Sequence, residues 1–225
     1  MRFKKEFLLG VALGLIACNV AADTLYDSLS SASSVSAGYN LISDANFGPL
    51  ANSFSTGSNN FFLNDLQLAL AVDNPTTGGT VTISLLSDSG SSPGATLATL
   101  GVVNDSALSA YTPTTVDFPL STAIDLAANT RYWIEVSATN DSSAGWSYTA
   151  DTTGIGVAGE FNANSFQVYS NSGDPGLALI NNPYQLQING ATAVPLPGAA
   201  WLFVTVVGCF SALRQRQKAF NFNQA

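Results

Sequence analysis

Histidine is absent from this chain, and both cysteines, Cys18 and Cys209, lie outside the long central stretch from Asp23 to Gly198. That stretch therefore cannot form a Ser-His-Asp or Cys-His catalytic site, or a zinc site built from His or Cys. It cannot form an internal disulfide either. At about 175 residues it is nevertheless long enough to bury one sizeable hydrophobic core without covalent cross-links.

Positive charge is almost missing from the same stretch. It contains twelve Asp and two Glu, but only one Arg (Arg131) and no Lys, which gives a formal net charge of −13. The whole-chain value of −8 hides this imbalance because the other six basic residues lie near the two ends. A body this acidic excludes nucleic acid and anionic lipid as partners on electrostatic grounds.

Helical periodicity is also missing before the C-terminal tail, whereas short runs with a period of two are frequent. Apolar residues alternate with polar or small ones around residues 66–72, 80–85, 116–120, 131–136 and 184–188. Turn-forming Asp, Asn, Gly and Pro separate these runs. Roughly nine short strands of this kind predict an all-β fold, a two-sheet β-sandwich with jelly-roll or Greek-key connections. We expect this ectodomain to span residues 39–190, after a flexible Ser-rich lead-in at 23–38.

Residues 1–22 have the organisation of a secretory signal peptide. Three basic residues precede an apolar segment at 7–17 that is too short to span a bilayer, and small residues lead to an expected cleavage after Ala22. An alternative is open, because Leu15-Ile16-Ala17-Cys18 resembles a lipobox, which would make Cys18 a lipidated N-terminus.

The tail at 191–225 combines a proline motif, an apolar run and a basic cluster. The run from Leu196 to Leu213 carries no charge. A helix of that length spans roughly 27 Å, just short of a hydrocarbon core of about 30 Å, so the predicted helix at about 197–213 is a marginal membrane span. The basic residues that follow are typical of the cytoplasmic side, so we expect one membrane helix with its N-terminus outside. The proposed processing motif is Val194, Pro195, Leu196 and Pro197, and the membrane stop is Arg214, Arg216 and Lys218.

The order of these parts resembles a PEP-CTERM sorting signal, and Val-Pro-Leu-Pro-Gly-Ala-Ala-Trp-Leu-Phe (194–203) is similar to its VPLP variant. The resemblance implies processing by an exosortase, a membrane enzyme of Gram-negative bacteria that make exopolysaccharide. It implies an inner-membrane-anchored precursor and then a cell-surface or extracellular-matrix location. Leu196 stands where the glutamate of Pro-Glu-Pro would be, which leaves the exosortase subtype open.

Three segments of the body, at 52–57, 84–94 and 126–136, resemble the choice-of-anchor type R domain. The similarity runs from about Tyr39 to Phe166. Domains of that family carry different C-terminal anchors, which implies an exposed surface role and no particular chemistry.

A carboxylate pair is the one catalytic device that this composition permits, and Glu135 and Glu160 are the only glutamates of the body. Glu135 shares a predicted strand face with Arg131 and Trp133. Such a face is more typical of a solvated or ion-paired surface, so we expect no enzyme.

Aromatic residues of the predicted strands provide a candidate sugar platform, because exposed rings stack on pyranose faces. The candidates are Trp133, Trp146 and Tyr148. Core packing is the alternative for the same side chains.

Aspartates in the predicted loops allow a structural Ca²⁺, the one cofactor that the sequence leaves open. The candidate ligands are Asp73, Asp88 and Asp151. No EF-hand spacing organises them, and turn geometry explains loop aspartates equally well.

These patterns together predict an exported, non-catalytic structural or adhesive protein linked to exopolysaccharide and biofilm. The predicted partners are an exosortase, extracellular polysaccharide, and the membrane through the C-terminal helix. Two alternatives stay open: a carbohydrate-binding module or weak glycoside hydrolase, and a periplasmic protein whose membrane tether is never cut.

Overall fold

A computed structural model describes most of the body of the chain. The described residues are 23–29, 38–41, 49–76, 78–90, 92–139, 141–149, 153–157, 168–170 and 182–192. The predicted signal peptide lies outside these ranges, as do residues 193–225 of the predicted sorting tail, Glu160 and Asp151.

The described ranges contain eleven β-strands and one short 3₁₀ turn, Asp105–Ala107. The strands are β1 Asp23–Asp27, β2 Gly38–Leu41, β3 Leu50–Ser55, β4 Phe61–Val72, β5 Thr80–Asp88, β6 Pro93–Asn104, β7 Thr114–Leu126, β8 Arg131–Ala138, β9 Ala144–Tyr148, β10 Val168–Ser170 and β11 Leu186–Thr192. No α-helix occurs among them, so the all-β prediction is confirmed.

Two antiparallel sheets make up the fold. One has the order β1-β11-β4-β9-β2, and β7 pairs with β4 as an additional strand off this path. The second has the order β10-β3-β8-β5-β6. The long strand β4 is central to the first sheet because Leu66 pairs with both Ile188 of β11 and Phe118 of β7. In the second sheet β5 and β6 form a hairpin, closed by a hydrogen bond from the Ser89 N–H to the Ser92 carbonyl (2.9 Å).

A single main core lies between the sheets. The period-two alternation directs every second residue of each strand inward. The core includes Leu66, Leu68 and Leu70 from β4, and Val81, Ile83 and Leu85 from β5, all fully buried. Because residues of both sheets belong to this cluster, the arrangement is that of a β-sandwich. Each such side chain contributes about 1.5–3 kcal/mol of burial free energy.

A buried amide links the sheets. Asn52 of β3 points inward between Leu50 and Phe54, and its Oδ1 accepts a hydrogen bond from the Tyr184 N–H (3.0 Å). Its Nδ2 donates to the Ser53 carbonyl (3.0 Å) and approaches the Tyr26 hydroxyl (3.4 Å). A buried polar group needs such partners to offset its loss of hydration.

The predicted lead-in at 23–38 requires a correction. Its first five residues form β1, which pairs with β11, and Tyr26 is fully buried. The sequence pattern missed this strand because Asp-Thr-Leu-Tyr-Asp has only two large apolar residues, which stand side by side. At the other boundary β11 continues to Thr192, two residues beyond the predicted end of the ectodomain.

Candidate functional site

The outer face of the five-stranded sheet carries the charged and aromatic residues that the sequence singled out on β8. Tyr132, Ile134 and Val136 of this strand point into the main core. The alternate residues therefore point to the opposite side of the sheet. Arg131, Trp133 and Glu135 thus share the outer face, as their spacing predicts.

Trp133 is fully buried although it lies on the outer face. It forms a second, smaller hydrophobic cluster with Ala51 of β3 and Leu86 of β5, and Leu86 is its direct cross-strand neighbour. The indole Nε1–H donates a 2.8 Å hydrogen bond to Oδ1 of Asp88, at the end of β5. The ring is therefore fixed on one side by packing and on the other by a charge-assisted hydrogen bond.

Glu135 is half-buried beside this cluster, with Ala51 and Ser84 as its cross-strand neighbours. Burial raises the pKa of its carboxyl group above the ordinary value, because the charged form loses hydration. Arg131 lies four residues away along the strand, about 13 Å at the usual rise per residue, so it is too distant for a direct ion pair. The carboxyl group therefore holds its proton to a higher pH than an exposed glutamate does.

Hydrolysis of a glycoside requires a second carboxylate about 5–9.5 Å from the first. Neither cross-strand neighbour of Glu135 supplies one, since they are Ala51 and Ser84. Glu160, the other glutamate considered, lies outside the described residues. Where the chain is described, no group of three or more His, Cys, Asp or Glu side chains comes together to hold a metal ion.

The candidate sugar platform does not form an exposed surface. Trp133 and Trp146 each have 0% exposure. Trp146 stacks on Tyr184 with ring centroids 4.6 Å apart, and its Nε1–H donates to the Gln185 carbonyl (3.0 Å). Tyr148 is partly buried and packs against the main core. Core packing, the alternative left open by the sequence, describes both tryptophans, because a sandwich of this size needs its largest side chains inside.

The candidate calcium ligands are not brought together where they can be placed. Asp73 follows β4, and Asp88 ends β5, so the length of β5 separates them, about 26 Å at the usual rise per residue. Asp88 instead accepts the Trp133 hydrogen bond. Asp151 lies outside the described residues.

Asp105 is a buried carboxylate that the sequence did not single out. Asp105 has 0% exposure, and it accepts hydrogen bonds from the Ser142 hydroxyl (2.8 Å) and the Ser143 N–H (3.1 Å). Its own N–H donates to the Gly79 carbonyl (3.0 Å). It joins the β4–β5, β6–β7 and β8–β9 loops, and a side chain at Gly79 would collide with Ser142. Nothing in the sequence distinguishes this aspartate from the other eleven, because its role depends on contacts between distant loops.

Both ends of the described body meet at the opposite end of the sandwich. Asp23 pairs with Gly190, and the Thr192 hydroxyl donates to Oδ2 of Asp23 (3.0 Å). An open cleft of about 270 Å³ lies here, lined by residues 23–25, 57–59 and 155–157, with Phe61 and Thr192. Ile155 on its rim is 53% exposed.

The proposed processing motif Val194–Pro197 and the membrane stop at Arg214, Arg216 and Lys218 lie outside the described residues. None of the described segments forms a helix with the length and hydropathy needed to traverse a bilayer.

Comparisons with known proteins give a distant structural likeness. No protein-family model matches the chain, and no curated protein matches it. Among solved structures, the chain is similar to a family two carbohydrate esterase from Cellvibrio japonicus, with 10% sequence identity and a TM-score of 0.22. The match covers 72% of this chain and 36% of the esterase chain, so the chain spans about a third of that protein's length. At this TM-score the likeness assigns neither a fold family nor an activity.

Proposed function

We propose that this chain is an exported, non-catalytic surface or extracellular-matrix protein of a Gram-negative bacterium. In this proposal a signal peptide carries it across the inner membrane, and the C-terminal helix holds it there until an exosortase processes the tail at Val194–Pro197. The body then has a structural or adhesive role among extracellular polysaccharide. The jelly-roll or Greek-key topology belongs to the same proposal, supported by connections that pass between the sheets, as from β3 to β4 and from β7 to β8.

The observation that carries the proposal is the meeting of the two ends of the body. Asp23, the expected first residue after signal-peptide cleavage, begins β1 and lies beside Thr192, the last residue of β11. The expected tail helix begins about five residues after Thr192. A domain attached at this point presents one end to the bilayer and the other end outward. Lipidation at Cys18 would attach the same end, because only residues 19–22 separate it from β1.

The charge of the body supports the same role. With a net charge of −13 between Asp23 and Gly198, the domain repels anionic polysaccharide and anionic membrane surfaces at long range. Such a domain stays soluble in a polyanionic matrix and does not collapse onto it. Attachment then depends on the tail, and any adhesive contact depends on uncharged surface.

The decisive experiment is mass spectrometry of the C-terminus in membrane and secreted fractions of the native cell. We expect the secreted form to end near Val194–Pro197 and to lack the apolar run. Intact tails through Ala225, found only in membranes, would overturn the exosortase proposal and favour the uncut periplasmic tether. N-terminal analysis of the same samples separates a free Asp23 from a lipidated Cys18.

A motif variant sharpens this experiment. Replacing Val194, Pro195, Leu196 and Pro197 by alanines should trap the chain in the membrane fraction with its tail intact. The matched control replaces Gln215 and Gln217 by alanine, which alters the same tail without touching the motif. If the motif variant is secreted at the normal length, these four residues do not direct processing.

A further inference from the structure

Strand β6 is an open edge of the five-stranded sheet. It is twelve residues long and pairs with β5 on one side, and no described strand pairs with its other side. An edge strand presents N–H and C=O groups that another strand can take up.

This edge has bulges between Pro93 and Gly101 but lacks the other usual kinds of protection. Proteins blunt their edges with charges, with proline inside the strand, or with bulges. The sequence of β6, Pro-Gly-Ala-Thr-Leu-Ala-Thr-Leu-Gly-Val-Val-Asn, carries no charge, and its one proline, Pro93, is the first residue. Leu97 is 53% exposed and Val102 is 60% exposed. An uncharged edge with exposed aliphatic side chains favours pairing with another strand.

The neighbouring edge strand provides an internal comparison. In β7, at the edge of the six-stranded sheet, Asp117 and Asp125 add charge and Pro119 removes a backbone donor. The two edges lie side by side, because the ring of Phe118 covers Gly101 so closely that a side chain there would collide with it. The chain therefore places charge and an internal proline on one edge and neither on the adjacent edge.

The register with β5 locates the pairing segment. It shifts at three places between Pro93 and Gly101, and bulges there twist the strand. From Gly101 to Asn104 the register is regular. Val102 lies in this regular part and is the more exposed of the two aliphatic side chains.

We propose that β6 pairs antiparallel with β6 of a second copy of this chain, across a twofold axis near Val102. The two five-stranded sheets then form one continuous ten-stranded sheet. A twofold contact must be self-complementary, and charges of one sign would face like charges across the axis. Two copies of the body, each with a net charge of −13, repel each other over most of their surface. Because β6 carries no charge, two copies can approach each other along this strand. The contact is closed, so it produces dimers and not fibres.

Sedimentation of the full chain in mild detergent, over a concentration series up to about 100 μM, tests the proposal. We expect the wild type to be dimeric at the upper end. Val102→Lys and Asn104→Lys each place a charge on the regular part of β6 at an exposed position, and each should raise the dimer dissociation constant by about tenfold or more. Thr115→Lys places the same charge at an exposed position on β7 and should leave the dimer intact. Melting temperatures confirm that all three variants fold.

Every outcome decides the proposal. A monomeric wild type overturns it and leaves the edge to a partner of another kind. A dimer that survives both β6 substitutions places the contact elsewhere, for example in the tail helices. If Thr115→Lys also dissociates the dimer, the interface includes β7 and is not confined to β6. None of these results bears on whether the tail is processed, so the proposed function stands or fails separately.

Discussion

The two faces of β8 differ in how much and in what way they are buried. The inner face, with Ile134 at its centre, belongs to the core shared by both sheets. Trp133 on the outer face belongs to a three-residue cluster and donates a hydrogen bond to Asp88. The inner face has the same apolar character along its whole length. The outer face changes within three alternate positions from a cation to a buried indole to a half-buried carboxyl group. The inner face therefore contributes to stability through apolar packing, whereas the outer face also carries charged and hydrogen-bonding groups.

The largest effect should come from the inner face. Ile134→Ala leaves a cavity in the main core and should lower the free energy of unfolding by about 2–5 kcal/mol. Urea denaturation measures this loss. Ser137→Ala, on the partly exposed side of the same strand, is the control and should change stability by less than about 0.5 kcal/mol. Equal losses from the two substitutions would mean that Ile134 is not part of a close-packed core.

A smaller effect should follow from the outer-face indole. Trp133→Phe keeps an aromatic ring in the Ala51–Leu86 cluster but removes the Nε1–H donor and leaves Asp88 without it. We expect a loss of about 1–3 kcal/mol by urea denaturation, from the lost hydrogen bond and the smaller ring. If Trp133→Phe lowers the free energy of unfolding more than Ile134→Ala does, the outer cluster contributes more to the stability of this sheet than the shared core.

The hydrogen bond that Asp88 accepts from Trp133 should contribute less to the free energy of unfolding than the whole Trp133 side chain does. Asp88→Asn weakens the charge-assisted bond and should cost about 0.5–1.5 kcal/mol. Asp117→Asn on exposed β7 removes the same charge from this acidic protein and serves as control. In a double-mutant cycle, Asp88→Asn and Trp133→Phe should couple by about 1 kcal/mol. Strict additivity would mean that the 2.8 Å contact does not contribute to stability.

The smallest effect concerns Glu135 and depends on pH. Because burial raises the pKa of this carboxyl group, the folded state binds more protons than the unfolded state just above the ordinary glutamate value. The protonated carboxyl group of Glu135 therefore favours the folded state at low pH, and this contribution to stability is lost as pH rises through the raised pKa. Glu135→Gln removes this titration, so its melting temperature should gain on the wild type between pH 4 and pH 7.

Removal of any negative charge also relieves repulsion in an acidic protein, so Asp117→Asn is again the comparison. The gain for Glu135→Gln should exceed that for Asp117→Asn over the same pH range. If the two gains are equal, the burial of Glu135 has no energetic consequence beyond the loss of a charge.

For several strands the sequence predicted which residues share a face, but it did not predict which other segments pack against those faces. Alternation in β4, β5, β8 and β11 was readable because large aliphatic residues mark every second position. Strands β6 and β9 are not among the predicted alternating runs, because small or weakly apolar residues occupy many of their positions. Such residues give little contrast between the two sides of a strand.

The site residues were harder to predict for a different reason. That Arg131, Trp133 and Glu135 share a face follows from their spacing, but that Trp133 is covered depends on Ala51 and Leu86 from two other strands. Asp105 has its role only because Ser142 and Ser143 arrive from a loop 37 and 38 residues away. Contacts between segments so distant in sequence have no local signature, so residue types alone did not separate a sugar platform from a core.

The position of β11 has a mechanical consequence. Seven of its residues pair with β4 on one side, while β1 pairs with four of them on the other, so the strand that leads into the tail is an interior strand. Tension applied through residue 193 along the strand axis would load both ladders in shear at once and would not peel hydrogen bonds off one by one. A pull on this end of the domain would therefore be resisted by the hydrogen bonds of both ladders together.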